Sequence, residues 1–78
     1  MQKDNSKINS KICLKIKFER IKKGFSQEEL AFRAGINKNT IWKIETGRIS
    51  PTITTLEKIA KALEIEFNIL TDISKVDL

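Results

Sequence analysis

One stretch, residues 25–47, limits what this chain can fold into more than any other, because it carries the chemistry that starts and stops a helix twice over. Ser26 is a favoured N-cap, and Glu29 stands three residues on, so Ser26-x-x-Glu29 has the form of a capping box. Phe25 before the cap and Leu30 inside it have the spacing of a hydrophobic staple. Leu30, Ala31 and Ala34 recur at helical spacing and predict one apolar stripe. Gly35 can take the left-handed conformation that ends a helix. Ile36 follows as an apolar plug, and Asn37 is a second N-cap. Ile41, Ile44 and Glu45 then share one face of a second helix, which Gly47 ends.

Two short capped helices joined by a glycine-containing turn form a helix-turn-helix or, more blandly, an ordinary helical hairpin. Small residues at Ala31 and Gly35 favour the sharper crossing, because closely approaching helices leave no room for side chains. The outer face of the second helix separates the two readings. Lys38, Asn39, Trp42, Lys43 and Thr46 fall together there. None is an acid, and several suit base edges or phosphates.

These residues carry a resemblance. Ser26-Gln27-Glu28-Glu29-Leu30-Ala31-x-x-Ala34-Gly35-Ile36, followed by Thr40-Ile41-x-x-Ile44-Glu45-x-Gly47, resembles the Cro and phage-repressor (Xre-like) family of helix-turn-helix regulators. The likeness reaches back to Arg20 and forward through Pro51, Leu56, Ile59-Ala60, Ala62-Leu63 and Leu70. It implies an all-α, compact five-helix bundle of the lambda-repressor-like type, with the helix-turn-helix formed by the second and third helices. It also implies sequence-specific binding of double-stranded DNA in transcription control.

Composition narrows the alternatives. One cysteine and no histidine rule out an intramolecular disulfide, a zinc site and a Cys/His nucleophile pair. Cys13 reads as a small buried apolar residue in a reducing cytoplasm. No apolar run is long enough for a membrane span or a signal peptide. The carboxylates fall on caps and solvent faces with no pattern that would poise a catalytic pair, so no enzyme or cofactor is expected; 78 residues leave no room for a ligand-sensing domain, so no small-molecule ligand is expected either. The net charge of +5 is uneven. Residues 1–23 hold eight Lys or Arg against two acids, residues 24–50 four against three, and residues 51–78 three against five. A basic N-terminal third and a mildly acidic C-terminal third suit a molecule with one face towards a polyanion.

In order along the chain, residues 1–10 read as a flexible basic arm, 11–72 as the DNA-binding domain and 73–78 as a short tail. Ser10 is a candidate cap for a first helix over 11–23, in which Cys13, Ile16 and Arg20 share one face and Leu14, Phe18 and Ile21 another. A stripe this wide predicts a helix packed on two sides. Arg20 and Glu45 both fall on inward faces, where charges are seldom buried alone, so a bidentate ion pair is expected; the resemblance implies the same pairing. Thr52 should cap a helix over 53–63, and a last helix should span about 67–72. The predicted core is Ile16, Ile21, Phe25, Leu30, Ala31, Ala34, Ile36, Ile41, Ile44, Leu56, Ile59, Ala60, Leu63, Ile65 and Leu70.

The second motif helix is expected in the major groove, N-terminus first, as the resemblance implies. Lys38, Asn39 and Trp42 would then meet bases, while Gln27, Asn37, Lys43, Thr46 and Arg48 would hold phosphates. Phe67, Ile69, Ile73 and Val76 exceed what a small core needs and are expected to join two copies into a homodimer on a pseudo-palindromic operator. A rival reading from another class is an antitoxin that binds a toxin through its C-terminal end and autoregulates its operon. Another is an interaction module that uses the fold as a bundle only and does not bind DNA. For the DNA-binding reading, the partner protein considered beside a second copy is a toxin or a polymerase subunit. The setting expected for a repressor or autoregulator of this kind is the cytoplasm and nucleoid of a prokaryote or a phage-infected host.

Overall fold

The structure is a computed structural model and describes residues 2–74 and 76, with side chains from residue 9 onward. It contains α1 (Gln2–Lys23), α2 (Gln27–Ala34), α3 (Lys38–Glu45), α4 (Ile53–Leu63) and α5 (Phe67–Leu70), and no strand among the described residues. α2 packs on α3 and α4, while α1 lies across α3, α4 and α5.

Local chemistry sets the helix starts. Ser26 Oγ accepts the Glu29 amide at 3.0 Å, Asn37 Oδ1 the Asn39 amide at 2.7 Å and Thr52 Oγ1 the Thr55 amide at 3.1 Å. Only this half of the expected capping box forms, because the Glu29 carboxylate instead takes the Arg33 Nε proton at 2.6 Å. Two helix ends share one solution. At Gly35, φ is +68°, and the Ile36 amide reaches back to the Ala31 carbonyl at 2.9 Å. At α4 the same left-handed position falls to Glu64, with φ +58° and the Ile65 amide on the Ala60 carbonyl at 3.0 Å. A side chain there costs about 1 kcal/mol relative to glycine.

The core is built from Cys13, Ile16, Leu30, Ala31, Ile41, Ile44, Leu56, Ile59, Ala60, Leu63 and Leu70, with Ile12, Phe25, Ile36, Ala62 and Ile65 packed around it. Each fully buried aliphatic side chain contributes about 1.5–3 kcal/mol. Burial pushes the Cys13 thiol above its ordinary pKa, against a smaller opposing effect of its backbone hydrogen bond.

Four expectations need correction. The stretch expected as a free arm over 1–10 is helical from Gln2, and Ser10 lies inside α1 rather than at its cap. Ile21 points away from the core and is 56% exposed, because it sits almost opposite Ile16 on α1. α5 is one turn long rather than two and ends at Leu70. Val76 is buried in the monomer, so it belongs to the core rather than to a free apolar surface. The remaining tail positions, Lys75, Asp77 and Leu78, lie outside the described residues.

Candidate nucleic-acid interface

The interface begins with what fixes α3. Arg20 on α1 donates Nε to Glu45 Oε2 at 2.7 Å and Nη2 to Oε1 at 3.0 Å, the planar two-pronged grip that suits a carboxylate. Its third nitrogen, Nη1, donates to the Phe25 carbonyl at 2.7 Å, on the turn between α1 and α2. Gln27 Nε2, at the first position of α2, donates to Glu45 Oε1 at 3.0 Å. One buried carboxylate therefore ties together α1, the start of α2 and the end of α3. The side chains are sealed, with 12% of Arg20 and 2% of Glu45 exposed. Among the described residues no buried side-chain nitrogen or oxygen lacks a hydrogen-bond partner.

With Ile41, Ile44 and Glu45 turned inward, the rest of α3 faces out. Lys38, Asn39, Trp42 and Lys43 are exposed, Thr40 is half-buried, and Thr46, Gly47 and Arg48 continue the surface beyond the helix end. Glu45 is the one acid between Asn37 and Arg48, and it is buried. Lys38, Lys43 and Arg48 take part in none of the ion pairs among the described residues. The face is thus positive and uncompensated, and it lies next to the amino ends of α2 and α3, whose free amides add further positive potential.

The expected site residues divide by what already holds them. Lys38 and Asn39 stand at the first turn of α3; the Asn39 amide is used by the cap but its side chain is free to reach out. Trp42 is 42% exposed and lies on this outer face, with the Arg48 guanidinium stacked 4.8 Å from its ring centre. Sequence reasoning missed that contact, since nothing in the spacing signals stacking across a helix end. Asn37 spends Oδ1 on the cap, which leaves its amide nitrogen outside that bond. Gln27 spends one amide proton on Glu45 and keeps the other. Thr46 turns its hydroxyl back onto the Trp42 and Lys43 carbonyls, at 2.8 and 3.3 Å, so its proton is already engaged.

The proposed pairing surface is smaller than expected. Phe67 and Ile69 are 37% and 46% exposed, Ile73 is half-buried and Val76 is inside. No helix among the described residues is long and apolar enough to cross a membrane.

Comparison with known proteins places this geometry. Residues 16–70 match the helix-turn-helix family. An uncharacterised HTH-type transcriptional regulator of Methanothermobacter thermautotrophicus is 48% identical over 40 residues, which are 51% of this chain and 58% of that protein. The cryptic phage CTXphi transcriptional repressor RstR of Vibrio cholerae is 43% identical over 47 residues, 60% of this chain and 42% of the repressor. The match thus spans only about half the length of these two relatives. Among solved structures, the restriction-modification controller protein C.AhdI of Aeromonas hydrophila superposes with a TM-score of 0.75 at 33% identity, covering 77% of this chain and 91% of that one. The wild-type controller protein C.Esp1396I gives a TM-score of 0.78 at 35% identity, covering 81% and 83%.

Proposed function

The chain belongs to the helix-turn-helix family of DNA-binding transcriptional regulators, and from that premise we propose that it is a repressor or autoregulator that reads a pseudo-palindromic operator as a dimer. The observation that carries this reading is the outer face of α3, where Lys38, Asn39, Trp42, Lys43 and Arg48 are exposed with no exposed acid among them.

In this reading α3 enters the major groove with its amino end leading. Lys38 suits guanine O6 and N7, and the Asn39 side-chain amide suits adenine N6 and N7. Trp42 packs on a thymine methyl or on sugar. Lys43 and Arg48 neutralise phosphates, and the spare amide protons of Gln27 and Asn37 hold the backbone in register. Thr46 joins the phosphate contacts only when its hydroxyl leaves the Trp42 carbonyl. Arg20 and Glu45 never touch DNA; they fix the angle between α2 and α3 that presents these groups.

A single such module buries only about 600–1,000 Å² of protein surface on DNA, which is small for tight binding. Two copies related by a two-fold axis would meet half-sites about one turn, or ~34 Å, apart. The C-terminal third is the least basic part of the chain, and Phe67 and Ile69, with the edge of Ile73, offer apolar surface there for an isologous contact. Selection of bound duplexes from a random pool tests the whole reading. It should return a two-fold symmetric sequence with half-sites one turn apart. A flat binding curve across all duplexes would overturn it.

A further inference from the structure

We propose that α1 carries a second recognition surface, a two-turn seam that docks an acidic amphipathic helix of a partner protein. The sequence writes α1 as a helix packed on two sides, yet the fold covers one. Cys13, Ile16 and Arg20 face the core. Leu14, Phe18 and Ile21 fall within about 60° of one another on the opposite side, since each residue turns the helix by about 100°. Phe18 is 49% and Ile21 56% exposed, and Leu14 is half-buried.

The spacing of the stripe specifies its occupant. Leu14, Phe18 and Ile21 follow a four-then-three step, the pattern of the seam between two packed helices rather than of a broad membrane-facing surface. In that register the flanking positions are Lys15, Lys17 and Lys22, all basic. Lys15 and Lys22 each approach Glu19 at 3.3 Å, which holds their stems along one edge of the seam. Lys17 is exposed on the other edge, with no ion pair among the described residues. Next to Leu14 a recess of about 160 Å³, bounded by Ser10, Cys13 and residues 45–47, has room for one aliphatic side chain.

A second copy of this chain is a poor occupant. Pairing two such helices would set lysine against lysine in either direction, and like charges across a seam disfavour the pair. A helix with Leu or Ile on its seam and Glu or Asp on its flanks satisfies both the apolar stripe and its basic edges. Because the seam is two turns long, the contact is weak and strongly salt-dependent.

The test uses the full chain and a labelled synthetic three-heptad peptide with Leu at its seam positions and Glu at its flanks, followed by fluorescence anisotropy. A companion peptide carries Lys at the flanks. The Glu peptide should bind at least about tenfold more tightly than the Lys peptide. Phe18→Ser combined with Ile21→Ser alters two exposed residues and should leave the helical spectrum unchanged, while weakening the Glu peptide at least about tenfold. Lys17→Glu with Lys22→Glu should reverse the preference between the peptides. The proposal fails if neither peptide binds. It fails equally if the serine variant holds the Glu peptide as well as the parent does, since general attraction to a basic chain would then suffice. It also fails if the serine changes lower the sedimenting mass of the free protein, which would make a second copy the occupant.

Discussion

Removing one partner of the Arg20–Glu45 pair should come close to unfolding the domain. Arg20→Ala would leave the Glu45 carboxylate, 2% exposed, with only the neutral Gln27 amide as a donor. It deletes two charge-assisted hydrogen bonds, worth about 1.5–3 kcal/mol each, and the bond to the Phe25 carbonyl. Stranding a buried charge costs about 3–5 kcal/mol in comparable pairs. Glu45→Ala should cost somewhat less, because the guanidinium is 12% exposed and keeps the Phe25 carbonyl. A chain of this length has a total stability of about 4–12 kcal/mol, so either loss is a large share of it. In a domain this small each kcal/mol moves the midpoint by about 4–8 °C, and the single variants should melt at least ~12 °C below the parent by far-ultraviolet circular dichroism. The double variant Arg20→Met, Glu45→Leu strands no charge, and Gln27 can turn to solvent. It should lose less than about 2 kcal/mol. If the double variant Arg20→Ala, Glu45→Ala instead lost the sum of the two single alanine losses within about 0.5 kcal/mol, the side chains would be acting independently and the pair would not hold the motif together.

Lys38→Ala and Asn39→Ala should each cost about 1–3 kcal/mol on the selected site and relax the preference at one base pair, read by duplex titration against single-base variants. Arg48→Ala should weaken selected and random duplexes alike and reduce the slope of log affinity against log salt by about one ion; a changed base preference would reverse its role with that of Asn39. Ile69→Asp should keep full helical content while lowering sedimenting mass and operator affinity together, and a variant that still sediments as a dimer would remove α5 from the pairing surface. Burial holds the Cys13 thiol protonated in the fold beyond its ordinary pKa, whereas the unfolded chain releases that proton. The thiol's contribution is therefore complete below the ordinary thiol pKa and declines as pH rises above it, which alkaline denaturation should show for the parent and not for Cys13→Ala.

What the sequence disclosed and what it concealed follow the range of the interactions. Ser26, Asn37 and Thr52 could be read as caps because a cap bonds an amide two or three residues away. The core positions of α2, α3 and α4 were legible because their stripes have a single apolar side. α1 was harder. Its two apolar faces gave no ground for choosing which one the fold covers, and Ile21 went to the wrong side. Glu19 is 7% exposed, which its charge hid, because Lys15 and Lys22 of the same helix neutralise it. The helix at residues 2–10 has no apolar stripe to announce it. Glu64 shows that a left-handed helix end needs no glycine when the flanking amides and carbonyls pair as they do at Gly35. Val76 is buried beyond the end of α5, at a position that no apolar periodicity marks.

The placement of Trp42 also decides what light can report about this molecule. The chain has no tyrosine and one tryptophan, and that indole sits outside the core with a guanidinium 4.8 Å from its ring centre. Its emission therefore senses solvent and the Arg48 side chain far more than it senses the packing of Ile16, Ile44 or Leu63. Loosening the core would leave the colour of the emission almost unchanged, while anything that lifts Arg48 away or covers the outer face of α3 would shift it. The protein carries its one useful fluorophore where events arrive from outside, and its interior is optically silent.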